Sequence, residues 1–135
     1  MPRIFGLNLV GVLVASIAFF MVGWLWYGVL FMDAWMQAQG ISAADAEAES
    51  PLWMLGGLVI TIMQVIGIGL VLKWKNVSGL VPSVMAAVTL WVFFALPFCG
   101  YAYIYAAHNS ALLLIDASHL LAGWVVSAVV LSLIK

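Results

Sequence analysis

At 135 residues, 67% of them hydrophobic and 7% charged, the chain is excluded from the soluble globular class, whose members carry about 25% charged residues and, at this size, have too little interior to hide such an excess of apolar surface. The net charge of −1 gives no basis for binding nucleic acid, and the single cysteine, Cys99, excludes an intramolecular disulfide. The solvent implied is a lipid bilayer: at about 20 apolar residues per crossing, the length accommodates four spanning helices and no separate soluble domain.

The first apolar run follows Arg3 and extends from Ile4 to Leu30. It is too long for the apolar core of a signal peptide, about 7–15 residues, and predicts a retained helix over approximately 4–31. Asn8, Gly11 and Ala15 fall on one face of it, where small residues let another helix approach closely. The run ends in GWLWYGVLFMDAWMQAQG, from Gly23 to Gly40. Trp24, Tyr27, Phe31 and Trp35 recur there at helical steps, with Trp26 beside them, and predict an aromatic face at the membrane–water interface. Gly40 ends the helix. The first connection, from about Met32 to Ser50, holds Asp33, Asp45, Glu47 and Glu49 and no positive charge. Ser42 and Asp45 have the spacing of a capping box, which predicts a short external interfacial helix over 43–49. Ser50-Pro51 then reads as an N-cap followed by a proline at the first helical position.

The second helix is expected over 51–72, with Gly57, Thr61, Gln64 and Gly67 on one face. Gln64 would lie near mid-membrane, where its amide needs a hydrogen bond from another helix or a polar path to line. Lys73 and Lys75 follow in the second connection. The third helix is expected over 79–107, with Pro82 tolerated in its first turn and Pro97 kinking it. Past Pro97, Phe98, Tyr101, Tyr105 and His108 share a face, and Tyr101, Tyr103 and Tyr105 have the look of an aromatic belt. Cys99, in the same run, reads as a small buried hydrophobe. His108, Asn109 and Ser110 make a tight turn into a fourth helix over 110–134.

In this threading every cation, Arg3, Lys73, Lys75 and Lys135, falls on one side and the acidic loop on the other. Positive charge in short loops stays cytoplasmic, so both termini are expected there. The fold class is therefore all-α, a polytopic four-helix membrane bundle.

The fourth helix carries the strongest chemical signal, Asp116 and His119, three residues apart and on one side. Gly123 and Ser127 continue the stripe. From the rise per residue, Asp116 lies about 9 Å and His119 about 13 Å into the helix, and ionisable groups at such depth are costly enough to mark function or a cross-helix partner. Three uses present themselves: a pair locking the helices, alone or with tyrosines of the third helix; the lining of a path for a proton or small solute, with Gln64; or a metal set of His108, Asp116 and His119, chemically suited to zinc or iron. Nothing in the sequence supplies a nucleophile with a matched base, a phosphate loop or a cysteine pair.

The residues Gly23, Trp26, Tyr27, Phe31, Trp35, Met36 and Gly40, followed by an aromatic-rich third helix, a short turn and the D-x-x-H of Asp116 and His119, resemble the DUF1761 family over nearly the whole chain. The resemblance implies a small four-helix integral membrane protein, most often of a bacterial inner membrane, and brings no catalytic residues with it. The reading that follows is a non-enzymatic, self-associating membrane protein, with a small-solute or proton pathway as its mechanistic form. The alternatives are a metal-binding protein or enzyme built on His108, Asp116 and His119, and an accessory subunit docking through the Trp24–Trp35 face.

Overall fold

A computed structural model describes residues 2–42, 44 and 52–135. Its architecture is helical, and among the described residues four helices are long and apolar enough to cross a membrane: α1 (Leu9–Leu30), α3 (Leu52–Trp74), α4 (Leu80–Ala106) and α5 (Ser110–Leu133). A shorter helix, α2 (Met32–Gln39), follows α1. Of the helix expected over 43–49 only Ala44 is described, and the Asp45 of the Ser42–Asp45 box and the Ser50-Pro51 cap lie outside the described residues.

The chain begins differently from the expected single helix. Residues Arg3–Ile4 (β1) and Leu7–Asn8 (β2) form a small antiparallel hairpin. Phe5 and Gly6 both take positive φ, 52° and 80°, the pairing that a two-residue hairpin turn requires. Asn8 then caps α1, its side-chain oxygen accepting from the Val10 N–H at 3.0 Å. Ile4, Phe5 and Leu7 are as apolar as helix residues, so hydropathy alone reads through the hairpin.

At its other end α1 widens into a π turn over Trp26–Leu30 and breaks at Phe31, whose φ is −122°. The aromatic face expected to run unbroken from Trp24 to Trp35 is therefore split. Trp24 faces outward, while Tyr27 packs edge-on against Trp35 and Trp26 against Phe31. Gly40 ends α2 as expected, at φ 70°. The Ile41 N–H donates to the Met36 carbonyl and the Gly40 N–H to that of Gln37, the Schellman arrangement that favours glycine at this position.

A π turn also absorbs Pro97. Proline lacks an N–H and crowds the carbonyl four residues back. The turn Trp91–Ala95 widens the helix just before it, with the Leu96 N–H donating to the Trp91 carbonyl five residues earlier. The last turn, Tyr103–Ala107, is of the same kind and ends at His108 in the left-handed region. Asn109 then caps α5, accepting from the Ala111 and Leu112 N–H groups.

Helix α5 is the hub. It packs against α1, α3, α4 and α2, and α1 packs against α3, whereas α3 and α4 scarcely touch. The crossings use small residues, as close packing between apolar helices requires. A Cβ at Gly123 would overlap the Phe19 ring, and one at Gly11 would meet the Ile134 carbonyl oxygen at 2.6 Å. Ala15 and Ala128 are fully buried. Val12, Ala15 and Phe19 of α1, Val65, Ile68 and Leu72 of α3, and Leu131 of α5 form one apolar cluster. Hydroxyls inside the spans are satisfied within their own helix: Ser16 donates to Val12, Thr61 to Gly57 and Ser127 to Gly123, each at 2.7 Å. This is the usual accommodation of such groups where water is absent.

Candidate functional site

Because α3 and α4 diverge, a cavity of about 560 Å³ opens between them, backed by α1 and α5. Its walls are largely apolar and aromatic, from Phe19, Phe20, Trp24, Met54 and Phe98. A few polar groups converge on it: Tyr27 from α1, Thr61 and Gln64 from α3, Cys99 from α4, and Asp116 and His119 from α5. An apolar concavity with a small number of placed polar groups is the usual form of a small-molecule site.

At its centre the Tyr27 hydroxyl donates to Asp116 Oδ1 at 2.5 Å. The His119 ring lies edge-on to Tyr27, centroids 4.9 Å apart, and tilted against Phe19 at 5.6 Å. Gly23 makes room for it, since a Cβ there would stand 3.2 Å from His119 Nε2. Two flanking bonds set the register of α5: Trp26 Nε1 donates to Ser118 Oγ at 2.9 Å, and Trp91 Nε1 to the Ala117 carbonyl at 2.8 Å. Helix α5 thus receives donors from α1 and α4 at three consecutive residues, Asp116, Ala117 and Ser118.

Gln64 closes the deeper end. Its Oε1 accepts from Trp124 Nε1 at 2.8 Å, and its Nε2 donates to the Ile60 carbonyl at 3.1 Å. The expected cross-helix hydrogen bond is therefore present. Beyond the pair lies a second cavity of about 290 Å³, which Gln64 and Trp124 also line together with Gly67 and Phe94.

The structure brings together Asp116, His119 and Gln64 and leaves out the other members of the expected cluster. Tyr101 and Tyr105 stack on each other at 6.0 Å on the outer surface, 63% and 79% exposed. Neither lines the cavity with Asp116, and the tyrosine expected from the third helix is replaced by Tyr27 of the first. His108 is exposed at the turn, eight residues before Asp116, or about 12 Å along the axis. The metal set of His108, Asp116 and His119 is accordingly not assembled: among the described residues no three His, Cys, Asp or Glu side chains are grouped to hold an ion.

Tyr27 was legible only as an interface aromatic, yet depth could have identified it. It precedes the end of α1 by three residues and Asp116 follows the start of α5 by six, so antiparallel packing sets them at similar heights. Cys99 is half-buried and lines the cavity rather than filling a core. No signal in the sequence singles it out.

A family model described as a protein of unknown function, DUF1761, matches residues 10–132. The chain belongs to the DUF1761 family. The match takes in all but the first residue of α1 and the last of α5 among the spans, and every residue named at the cavity, so this DUF1761 site lies wholly within the family region. No curated protein and no solved structure matches the chain.

Proposed function

We propose that this is a non-enzymatic bacterial inner-membrane protein, with both termini in the cytoplasm, that passes a proton or a small solute through the cavity centred on Asp116 and His119. The observation carrying the proposal is the Tyr27–Asp116–His119 cluster at the head of an apolar cavity, with a second cavity beyond the Gln64–Trp124 bond. Asp116 and His119 are groups that take and give protons in water, and the Tyr27 hydroxyl links them to the α1 wall. Gln64 and Trp124 form the constriction, and a path toward the basic end requires their hydrogen bond to open. The orientation rests on Arg3, Lys73, Lys75 and Lys135 all lying at one end of the spans. Self-association belongs to the same proposal: the crevice between α3 and α4 has few protein contacts of its own, and a second copy would screen it from lipid.

The test is proton entry into pyranine-loaded proteoliposomes under an imposed pH gradient. Wild-type protein is expected to speed acidification over empty vesicles, and Asp116→Asn to return it to the empty-vesicle rate while retaining its helical circular dichroism. A rate unchanged by Asp116→Asn removes the pathway.

A further inference from the structure

A different cavity, at the opposite end of the spans from Asp116, has another chemistry. It holds about 320 Å³ and is bounded by the β1–β2 hairpin, the end of α3 and the end of α5. Three of the four cationic residues in the chain, Arg3, Lys73 and Lys135, line it, although they come from three distant places in the sequence. No Asp or Glu side chain is among its lining residues.

The hairpin holds part of this arrangement in place. One Arg3 guanidinium nitrogen donates to the Gly6 carbonyl at 3.0 Å, leaving the remaining donors of the fork for a ligand. Lys73 Nζ reaches over the same turn, 3.5 Å from the Phe5 carbonyl oxygen. Leu7 anchors the hairpin on α3, where only a glycine at 69 leaves space for it. The cavity's buried polar groups are already committed: Asn8 accepts from Val10, and Ser83 donates to the Gly79 carbonyl. Its charged groups are therefore the ones left to bind, and below them the wall is apolar, from Leu72, Val77, Leu131 and Ile134.

We infer that this cavity binds an anionic phospholipid, its headgroup phosphate held by Arg3, Lys73 and Lys135 and the start of an acyl chain against the Leu72–Ile134 wall. The shared chemistry is a phosphate anion. A free phosphate ion would leave the apolar wall uncovered, whereas a lipid occupies both parts. The depth also fits, since the cavity lies where α3 and α5 end, at the level of headgroups, and basic pockets between spans attract such lipids. At about 1 kcal/mol per cation near a membrane surface, each cation contributes roughly a five-fold preference and the three together roughly a hundred-fold.

The test is native mass spectrometry of the full chain in a mild neutral detergent, titrated with phosphatidylglycerol, with phosphatidylcholine, and with inorganic phosphate. The wild type is expected to hold phosphatidylglycerol in strong preference to phosphatidylcholine, and equimolar phosphate should not displace it. Arg3→Gln, Lys73→Gln and Lys135→Gln should each lower the preference about five-fold, and the triple variant should abolish it. Lys75→Gln, whose residue does not line the cavity, should leave the preference close to that of the wild type. Equal retention of the two lipids would overturn the inference. So would a Lys75→Gln loss as large as the others, or displacement by phosphate, which would assign the site to the free ion. The single variants keep the test decisive if the triple variant folds poorly.

Discussion

Removing the Tyr27 hydroxyl separates the structural from the chemical role of the cluster. Tyr27→Phe deletes the donor to Asp116 Oδ1 and keeps the ring that packs on His119 and Trp35, so the packing term is unchanged and only the hydrogen bond is lost. A hydrogen bond to a charged group contributes about 1.5–3 kcal/mol. Hydrogen bonds between spanning helices average about 0.6 and reach about 1.7 kcal/mol. Asp116 is only partly buried and lines a cavity, which lets another donor replace the tyrosine in part, so the expected loss is about 1 kcal/mol. Asp116→Asn retains an acceptor oxygen and should cost less, while Asp116→Leu should cost about as much as Tyr27→Phe. In a double-mutant cycle, unfolding by a denaturing detergent against a mild one should give a Tyr27–Asp116 coupling of about 1 kcal/mol. A coupling below roughly 0.3 kcal/mol, within the usual error of additivity, would refute the bond as a tie between α1 and α5. If the Asp116 carboxyl is needed for transfer, Asp116→Asn should be stable and inactive, and a stable, active Asp116→Asn would assign the pair to helix locking alone.

Three further outcomes are expected. Gly123→Ala places a methyl group in the Phe19 ring and should destabilise by about 1–3 kcal/mol, read as a lower midpoint in detergent melts; Gly67→Ala, with nothing within 4 Å of the new Cβ, should be neutral or stabilising by up to about 1 kcal/mol through helix propensity. Gln64→Leu leaves the Trp124 indole N–H without its acceptor and should lose about 1–3 kcal/mol, while raising proton entry in vesicles if the pair is the constriction; unchanged entry would remove that role. Cys99 should react with a charged thiol reagent added to sealed vesicles if the cavity holds water, and only with a membrane-permeant maleimide if lipid fills it, the ratio of the two rates deciding between them.

The spans were legible because twenty-residue apolar runs leave few alternatives in a bilayer, and the stops at Gly40 and Asn109 because their local chemistry is strong. The hairpin before Leu9 was not, since its three apolar residues carry no mark of the turn except Gly6, and a lone glycine is weak evidence. The π turns were equally hidden. One follows from Pro97, whose missing donor demands some adjustment, but the sequence does not say whether that adjustment is a kink or a widened turn. The turn at Trp26–Leu30 has no proline behind it. It rotates the residues after it relative to those before, so any face drawn at constant step from Trp24 to Trp35 fails there. At the site, Asp116, His119 and Gln64 stood out as polar residues in apolar helices. Tyr27 and Cys99 did not, because tyrosine is at home at an interface and cysteine in a core. Pairings between helices depend on which helices are neighbours, and α5 as the hub is a property of packing that no local pattern encodes.

That hub explains how the polar groups of the spans divide. Serine and threonine hydroxyls bond back to their own helices and ask nothing of neighbours. Among the described residues, the side-chain bonds between the four spans are made by aromatic donors, and each involves α5: Tyr27 and Trp26 from α1, Trp91 from α4, and Trp124 outward to Gln64 of α3. Indole and phenol groups suit this role, because each carries a rigid apolar body that packs and one polar atom that must find a partner. Every other span is thus pinned in rotation and height against α5. His119 stands apart from this scheme. Among the described residues it has ring contacts with Phe19 and Tyr27 and no hydrogen bond, and it lines the cavity. An imidazole without a hydrogen-bond partner among the described residues takes no part in the hydrogen-bonded pinning, so its nitrogens are available to whatever enters. His119→Phe should therefore preserve the detergent melting midpoint while abolishing transfer, and a large loss of stability with transfer retained would make the imidazole a packing group instead.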